Sequence, residues 1–388
     1  MPFPVFAPDT LYKAYQTSKG QSVDDGRCRA RTLFFASRWT HFLTPADREI
    51  EENRRFPYLM MEPVDLNPEG SGEVLVLTHG LNEGSPAKLF PWAYNLTMAL
   101  QMPVLIFPMA FHIARRSALW GFSPQARVAA ERSGLPGNRK ASPFNAQISA
   151  RLFEAPERFY TGGLQSYYDT IDLHDRIFQG DHPGCRPGAR LHFLGYSAGG
   201  YLALILLLAD AQARFAGSRG VVFASCADLD GMHPDSIFIM DAAASDRLMA
   251  FLGERRYENL LPDARLAPLI EAPRYWMTQL FFHGPALTDR LNALNPRLMA
   301  VSSPMDRVVT AEGMARNLTP VRRLSLDLGI HEFPFNLPDP LLTVYDRRQE
   351  DTRALLSAVR DGHTIPPAYR AVFETFIGEI AAFLRPSR

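Results

Sequence analysis

Leu191-His192-Phe193-Leu194-Gly195-Tyr196-Ser197-Ala198-Gly199-Gly200-Tyr201 decides how the rest of the chain is read. Residues 192–209 carry no Asp, Glu, Lys or Arg, a run close to the ~18 apolar residues of a membrane span. Gly195, Gly199 and Gly200, with a serine and a histidine, interrupt it. It reads instead as a buried strand, 191–195, turning into a buried helix that starts near Ala198 and runs through Leu202 to Leu208. The turn is G-x-S-x-G. A strand that reverses into a helix within a few residues crowds the backbone around its central serine. Small residues two before and two after relieve that crowding, and Gly195 and Gly199 stand there. Such a bend lifts the Ser197 hydroxyl above the carboxyl end of a sheet. It also points the N–H of Ala198, at a helix start, toward any anion formed beside it.

Working outward, short apolar runs alternate with helix-length segments, the pattern of buried parallel strands joined by crossover helices. The runs are 74–78 (VLVLT), 104–108 (VLIFP), 191–195 (LHFLG), 221–225 (VVFAS), 298–302 (LMAVS) and 324–328 (LSLDL). Residues 32–36 and 58–61 are expected to add an antiparallel edge. Tyr369, Val372, Phe373, Phe376, Ile377, Ile380, Phe383 and Leu384 recur at helical spacing after Pro366 and Pro367, and predict a last helix. The expected architecture is one α/β domain over 1–388. Two intervals exceed a simple crossover, so 109–163 and 227–296 are expected to be helical insertions forming a cap or lid. The first is rich in cations: Arg115, Arg116, Arg127, Arg132, Arg139, Lys140, Arg151 and Arg158 against Glu131, Glu154 and Glu157. They read either as a solvated surface paired elsewhere or as a collar for an anionic substrate group.

A second turn, Thr78-His79-Gly80-Leu81-Asn82, follows the strand at 74–78. Its glycine lets the chain bend so that the N–H of Leu81 donates into the same anion site as that of Ala198. His79 is expected to tie this loop down by hydrogen bonding. The HG turn followed by the elbow GYSAGG, the superfamily's order, resembles the α/β-hydrolase superfamily, and the resemblance runs from about Gly72 to the C-terminus. The turn reads HGLN here and lacks the HGGG form of one esterase branch; HGLNEG, PWAYNL and FPMAFH resemble an uncharacterised bacterial branch. The resemblance implies a mostly parallel sheet flanked by helices, and a serine nucleophile followed in the chain by an acid and then a histidine. Ser197 is the nucleophile of that scheme, and Leu81 and Ala198 form its oxyanion hole. Asp306, in the loop after the strand at 298–302, is the expected acid, with Asp228 or Asp230 as rivals after the strand at 221–225. A turn or helix cap is the other use of an aspartate in such a loop. His331, 25 residues beyond Asp306, is the expected base.

Composition narrows the chemistry. Lys and Arg total 41 and Asp and Glu total 41, so the formal charge is zero, against the basic excess of a nucleic-acid binder. Cys28, Cys185 and Cys226 are too scattered for a disulfide framework and suit a reducing, cytoplasmic setting. His331-Glu332 is not a HExxH zinc motif, because Phe335 stands where the second histidine belongs. No GxGxxG follows a strand and no GxxxxGK[ST] occurs, so neither metal nor nucleotide cofactor is expected. No membrane span is expected either. The implied activity is cleavage of a carboxylic ester of a small-molecule acyl substrate. A thioesterase, amidase or acyltransferase would use the same three residues, and a non-catalytic ligand-binding protein would use the fold alone.

Overall fold

Apolar side chains on both faces of consecutive strands force a sheet to be covered on both sides, and that is how the inner strands are built. The computed structural model describes residues 9–18, 20–210, 212–261, 263–326 and 367–385. Its strands are β1 (Val23–Asp24), β2 (Cys28–Ala36), β3 (Arg55–Pro63), β4 (Ser71–Thr78), β5 (Val104–Ile106), β6 (Cys185–Tyr196), β7 (Gly220–Phe223), β8 (Leu298–Ser302) and β9 (Arg322–Ser325). They form one sheet in the order β1-β2-β3-β5-β4-β6-β7-β8-β9. From β5 to β9 all neighbours are parallel, whereas β1, β2 and β3 attach antiparallel at one edge. This mixed, mostly parallel sheet flanked by helices is the α/β-hydrolase fold.

Strand periodicity divides the core into two. Val74 and Val76 of β4, Phe193 of β6, Val222 of β7 and Ala300 of β8 face one side, with Tyr167, Leu173 and Ile177 of helix Glu157–Gln179 and the apolar residues of helix Ala198–Leu208. Leu75, Leu77, Leu194, Phe223 and Val301 face the other, against Trp92 and Leu96 of helix Phe90–Leu100 and Phe376 and Ile380 of helix Pro367–Leu384. Burying each such side chain contributes ~1.5–3 kcal/mol. The two faces together therefore fix the register of β4 and β6, which share seven paired positions from Ser71↔Cys185 to Thr78↔Gly195.

Several boundaries differ from the sequence reading, among them that of β6, which starts six residues before Leu191. β5 spans only Val104–Ile106, because the chain leaves the sheet before Pro108, which has no N–H to donate. β9 lies at Arg322–Ser325, two residues earlier than expected, pairing Met299↔Arg322 through Ser302↔Ser325. It is an edge strand whose Arg322 and Arg323 face solvent, so no continuous apolar run marks it; residues 327 and 328 lie outside the described residues. Helix Glu157–Gln179 starts inside the stretch 109–163 expected as an insertion, running through Gly162 and Gly163 despite a helix cost of ~1 kcal/mol for each glycine.

Residues 109–163 hold the 3-10 turn Ile113–Arg115, helices Phe122–Ser133 and Ala146–Glu154, and the start of Glu157–Gln179. Residues 227–296 hold helices Ala242–Gly253, Ala267–Phe281 and Pro285–Leu294 with shorter turns. The two stretches pack on each other: Leu152, Tyr160 and Leu164 share a cluster with Leu248, Leu252, Tyr257, Ile270, Met277 and Phe281. Buried polar links reinforce that contact, with Arg132 against Asp241 and Asn145 Nδ2 donating to Ser236 O. No described helix is long and apolar enough to cross a membrane.

Candidate active site

The bend after β6 shows the strain that its sequence demands. Ser197 has φ 52° and ψ −121°, a region that side-chain-bearing residues avoid at a cost of about 1–3 kcal/mol, and helix Ala198–Leu208 begins at the next residue. A Cβ at position 195 would lie 2.4 Å from Gly199 O, and one at 199 would lie 2.7 Å from His79 O. The backbone holds the serine in place from both neighbouring strands. Ser197 N–H donates to Phe223 O of β7 (2.9 Å), Ser225 Oγ donates to Ser197 O (2.5 Å), and Gly199 N–H donates to His79 O (2.9 Å). Thr78 Oγ1, at the end of β4, donates to Gly199 O (3.0 Å).

The HG turn after β4 sits directly against this bend: a Cβ at Gly80 would lie 3.4 Å from Ser197 Cβ. His79 is fully buried and spends both ring nitrogens on the backbone. Nε2 accepts the Met109 N–H (2.9 Å), which leaves Nδ1 protonated to donate to Gly80 O (2.8 Å). It thereby ties the loop after β4 to the loop after β5. Lys88, also buried, pairs with Glu83 and places its ammonium 4.4 Å from the Tyr196 ring centroid, bracing the same loop against the bend. Neither the Leu81 nor the Ala198 N–H has a hydrogen-bond partner among the described residues. For Ala198 this is the open valence of a helix's first turn.

Two apolar cavities meet at this point. The smaller, about 60 Å³, is lined by Ser197, Ala198 and Leu81 together with Met232, Leu248 and Val308–Val309. The larger, about 140 Å³, is lined by Leu81 and Ala198 with Phe111, Ile148, Gly163 and Met277 among others, and not by Ser197. Tyr201, one helical turn after Ser197, borders both, with its hydroxyl donated to Ala227 O (2.6 Å). Sequence reasoning did not find these walls, whose residues come from widely separated segments.

Asp306 lies in the loop after β8, where Oδ1 accepts the N–H groups of Val308 (2.8 Å) and Val309 (3.0 Å). Because those two valines line the cavity of Ser197, the Asp306 loop borders the same space. Asp228 is otherwise engaged. It caps the turn Leu229–Gly231 through the Gly231 N–H (3.0 Å) and forms a two-pronged pair with Arg316 at 2.8 and 2.9 Å. Asp230 is exposed. His331 lies outside the described residues.

The cationic collar is not what the basic insertion builds. Arg115 pairs with Asp169 (2.8 Å) and both are fully buried. Arg151 and Arg158 share Asp47, Arg132 pairs with Asp241, and Lys140 pairs with Asp235. The partner carboxylates lie on other segments, so a local count of charges overstates the field that a ligand meets. Arg151 and Arg158 do border the larger cavity, but with their charge matched by Asp47 and Glu154.

Buried histidines make the fold sensitive to acid. Burial is the leading cause that depresses His79 well below its ordinary value of 6.5, with the nearby His112 adding to it; His112 and His182 are depressed to about 4. Between pH 4 and 6.5 the unfolded chain binds protons at these positions that the fold refuses, so stability rises with pH across that window. The melting temperature is expected to fall steadily from pH 6.5 to 4. Scanning calorimetry in that range checks it, and a flat profile would exclude the coupling.

Residues 36–350 match the family model described as "Family of unknown function (DUF6051)". No curated protein matches the chain. Among solved structures, it is similar to carboxyl esterase 2 of the mycorrhizal fungus Tuber melanosporum, at 14% identity over 94% of this chain and 89% of that one, with a TM-score of 0.46. A thermostable esterase from Pseudomonas putida shares 16% identity over 100% and 93%, with a TM-score of 0.47. Brefeldin A esterase, a bacterial homologue of human hormone-sensitive lipase, shares 12% over 97% and 82%, with a TM-score of 0.49.

Proposed function

The chain belongs to DUF6051, a family of unknown function, so its activity has to come from its own residues, and we propose that it is a serine hydrolase of carboxylic esters. The observation that carries this reading is the strained backbone of Ser197, which lines one apolar cavity with Leu81 and Ala198, whose N–H groups have no hydrogen-bond partner among the described residues. Strain of that kind persists only where surrounding structure enforces it, and here four backbone and side-chain hydrogen bonds do so.

In the proposed reaction His331 takes the proton of Ser197 as its oxygen attacks the ester carbonyl. Asp306 holds the imidazole in the tautomer that can accept that proton, and stabilises the imidazolium formed. The N–H groups of Leu81 and Ala198 receive the oxyanion; in comparable sites, losing one such donor costs ~2.7–4 kcal/mol of barrier lowering. The imidazolium gives its proton to the departing alcohol. Water then attacks the acyl-enzyme with His331 again as base, releasing the acid and restoring the serine. A fluorophosphonate probe tests the reading. Covalent labelling is expected at Ser197 alone, and a protein left unlabelled at active concentrations would be a binding protein on this fold.

A further inference from the structure

We propose that the two cavities divide one ester between them: the 140 Å³ cavity takes a ring-sized acyl group, the 60 Å³ cavity takes the alcohol, and Gly163 sets the acyl limit. This rests on the esterase reading above and adds to it the substrate class.

The direction follows from where the proton must go. The alcohol oxygen leaves only when the imidazolium protonates it, so the alcohol lies on the side of the acid–base pair. Val308 and Val309, whose N–H groups bind the Asp306 carboxylate, line the smaller cavity together with Ser197 and do not line the larger. The larger cavity borders the bend only through Leu81 and Ala198, the residues whose N–H groups would hold the carbonyl oxygen. An ester with its carbonyl oxygen on those donors and its alcohol toward Val308 has one direction left for its acyl chain. Size agrees with that assignment: an apolar cavity of about 150 Å³ holds benzene.

Gly163 has no packing reason to be glycine. It stands within helix Glu157–Gln179, where glycine is a poor helix former, second only to proline. At its neighbour Gly162 a Cβ would stand in ordinary contact with the Phe111 ring, at 3.4 Å. A Cβ at 163 would meet nothing within 4 Å, and the residue is exposed on the wall of the larger cavity. What its missing side chain preserves is volume.

The test uses the full-length protein and release of acid from methyl and butyl esters of acetic, hexanoic, phenylacetic and hexadecanoic acids. The wild type is expected to favour hexanoyl and phenylacetyl over both acetyl and hexadecanoyl. Gly163→Leu is expected to lower the ratio of kcat/KM for phenylacetyl over acetyl by ~10–200-fold, the discrimination a few methylenes give. The methyl-to-butyl ratio should shift far less. Gly163→Ala, which suits the helix better than glycine, should move the acyl ratio in the same direction by less, and so covers a misfolded leucine variant. An unchanged acyl ratio in folded variants, or a shift falling on the alcohol instead, overturns the assignment of the cavities. Labelling of Ser197 by the fluorophosphonate together with cleavage of some ester shows, in that event, that the hydrolase reading survives. Labelling without cleavage of any ester overturns the substrate class. Absence of both removes the hydrolase reading and this inference with it.

Discussion

Ser197→Ala is expected to lower kcat by ~10⁴–10⁶, the loss found when one member of a serine–histidine unit is removed. At 1.36 kcal/mol per decade, that is ~5–8 kcal/mol of barrier. The fold should not notice. Alanine keeps the Cβ and tolerates φ 52° no better and no worse than serine, and the backbone bonds to Phe223, Ser225 and Gly200 remain. The Ser197 hydroxyl makes no hydrogen bond with a described residue, so removing it orphans no partner among them. The check is paired: kcat on an ester that the wild type cleaves, and the urea midpoint of both proteins. An alanine variant that turns over at near wild-type rate would take Ser197 out of the reaction, whatever the shape of its bend.

The residues most legible in the sequence are those under the tightest steric demand. Gly195 and Gly199 stand where a Cβ would collide with backbone at 2.4 and 2.7 Å, so the bend leaves a mark that one chain suffices to show. The strands β4, β6, β7 and β8 were visible because both faces are buried along their inner stretches, which gives each a short apolar run. An edge strand feels half that pressure, and β9 carries Arg322 and Arg323 where the reading had expected an apolar run to begin only at Leu324. The pairing of the basic insertion escaped for another reason. Asp47, Asp169, Asp235 and Asp241 are brought to Arg151, Arg115, Lys140 and Arg132 by tertiary packing, which no local charge count contains. The cavities were hidden in the same way. Leu81, Gly163, Ala198 and Met277 carry no common motif, and they become one wall only once tertiary packing brings their segments together. Gly163 did leave a signal, a glycine within a helix, but with Gly162 beside it the pair reads as a helix boundary.

The acid is the member of the scheme on which the sequence left rivals to Asp306, namely Asp228 and Asp230, and Asp306 and Asp228 predict opposite experiments. Asp306→Asn is expected to lower kcat by ~10⁴, because an asparagine cannot hold the imidazole in the accepting tautomer or stabilise its charge. Its structure should persist, since an asparagine carbonyl oxygen can still accept the N–H groups of Val308 and Val309. Asp228→Asn should do the reverse. Its carboxylate already serves Arg316 with both oxygens and caps Gly231, a structural arrangement with no valence directed at Ser197's cavity. Losing the charge weakens a pair whose arginine is half exposed, which costs little stability and leaves turnover close to wild type. Measuring kcat and the unfolding midpoint for both variants separates the two aspartates. Collapse of kcat in Asp228→Asn with activity retained in Asp306→Asn would move the acid from the end of β8 to the end of β7. It would also undo the cavity assignment, because the alcohol side was fixed by Val308 and Val309, the neighbours of Asp306.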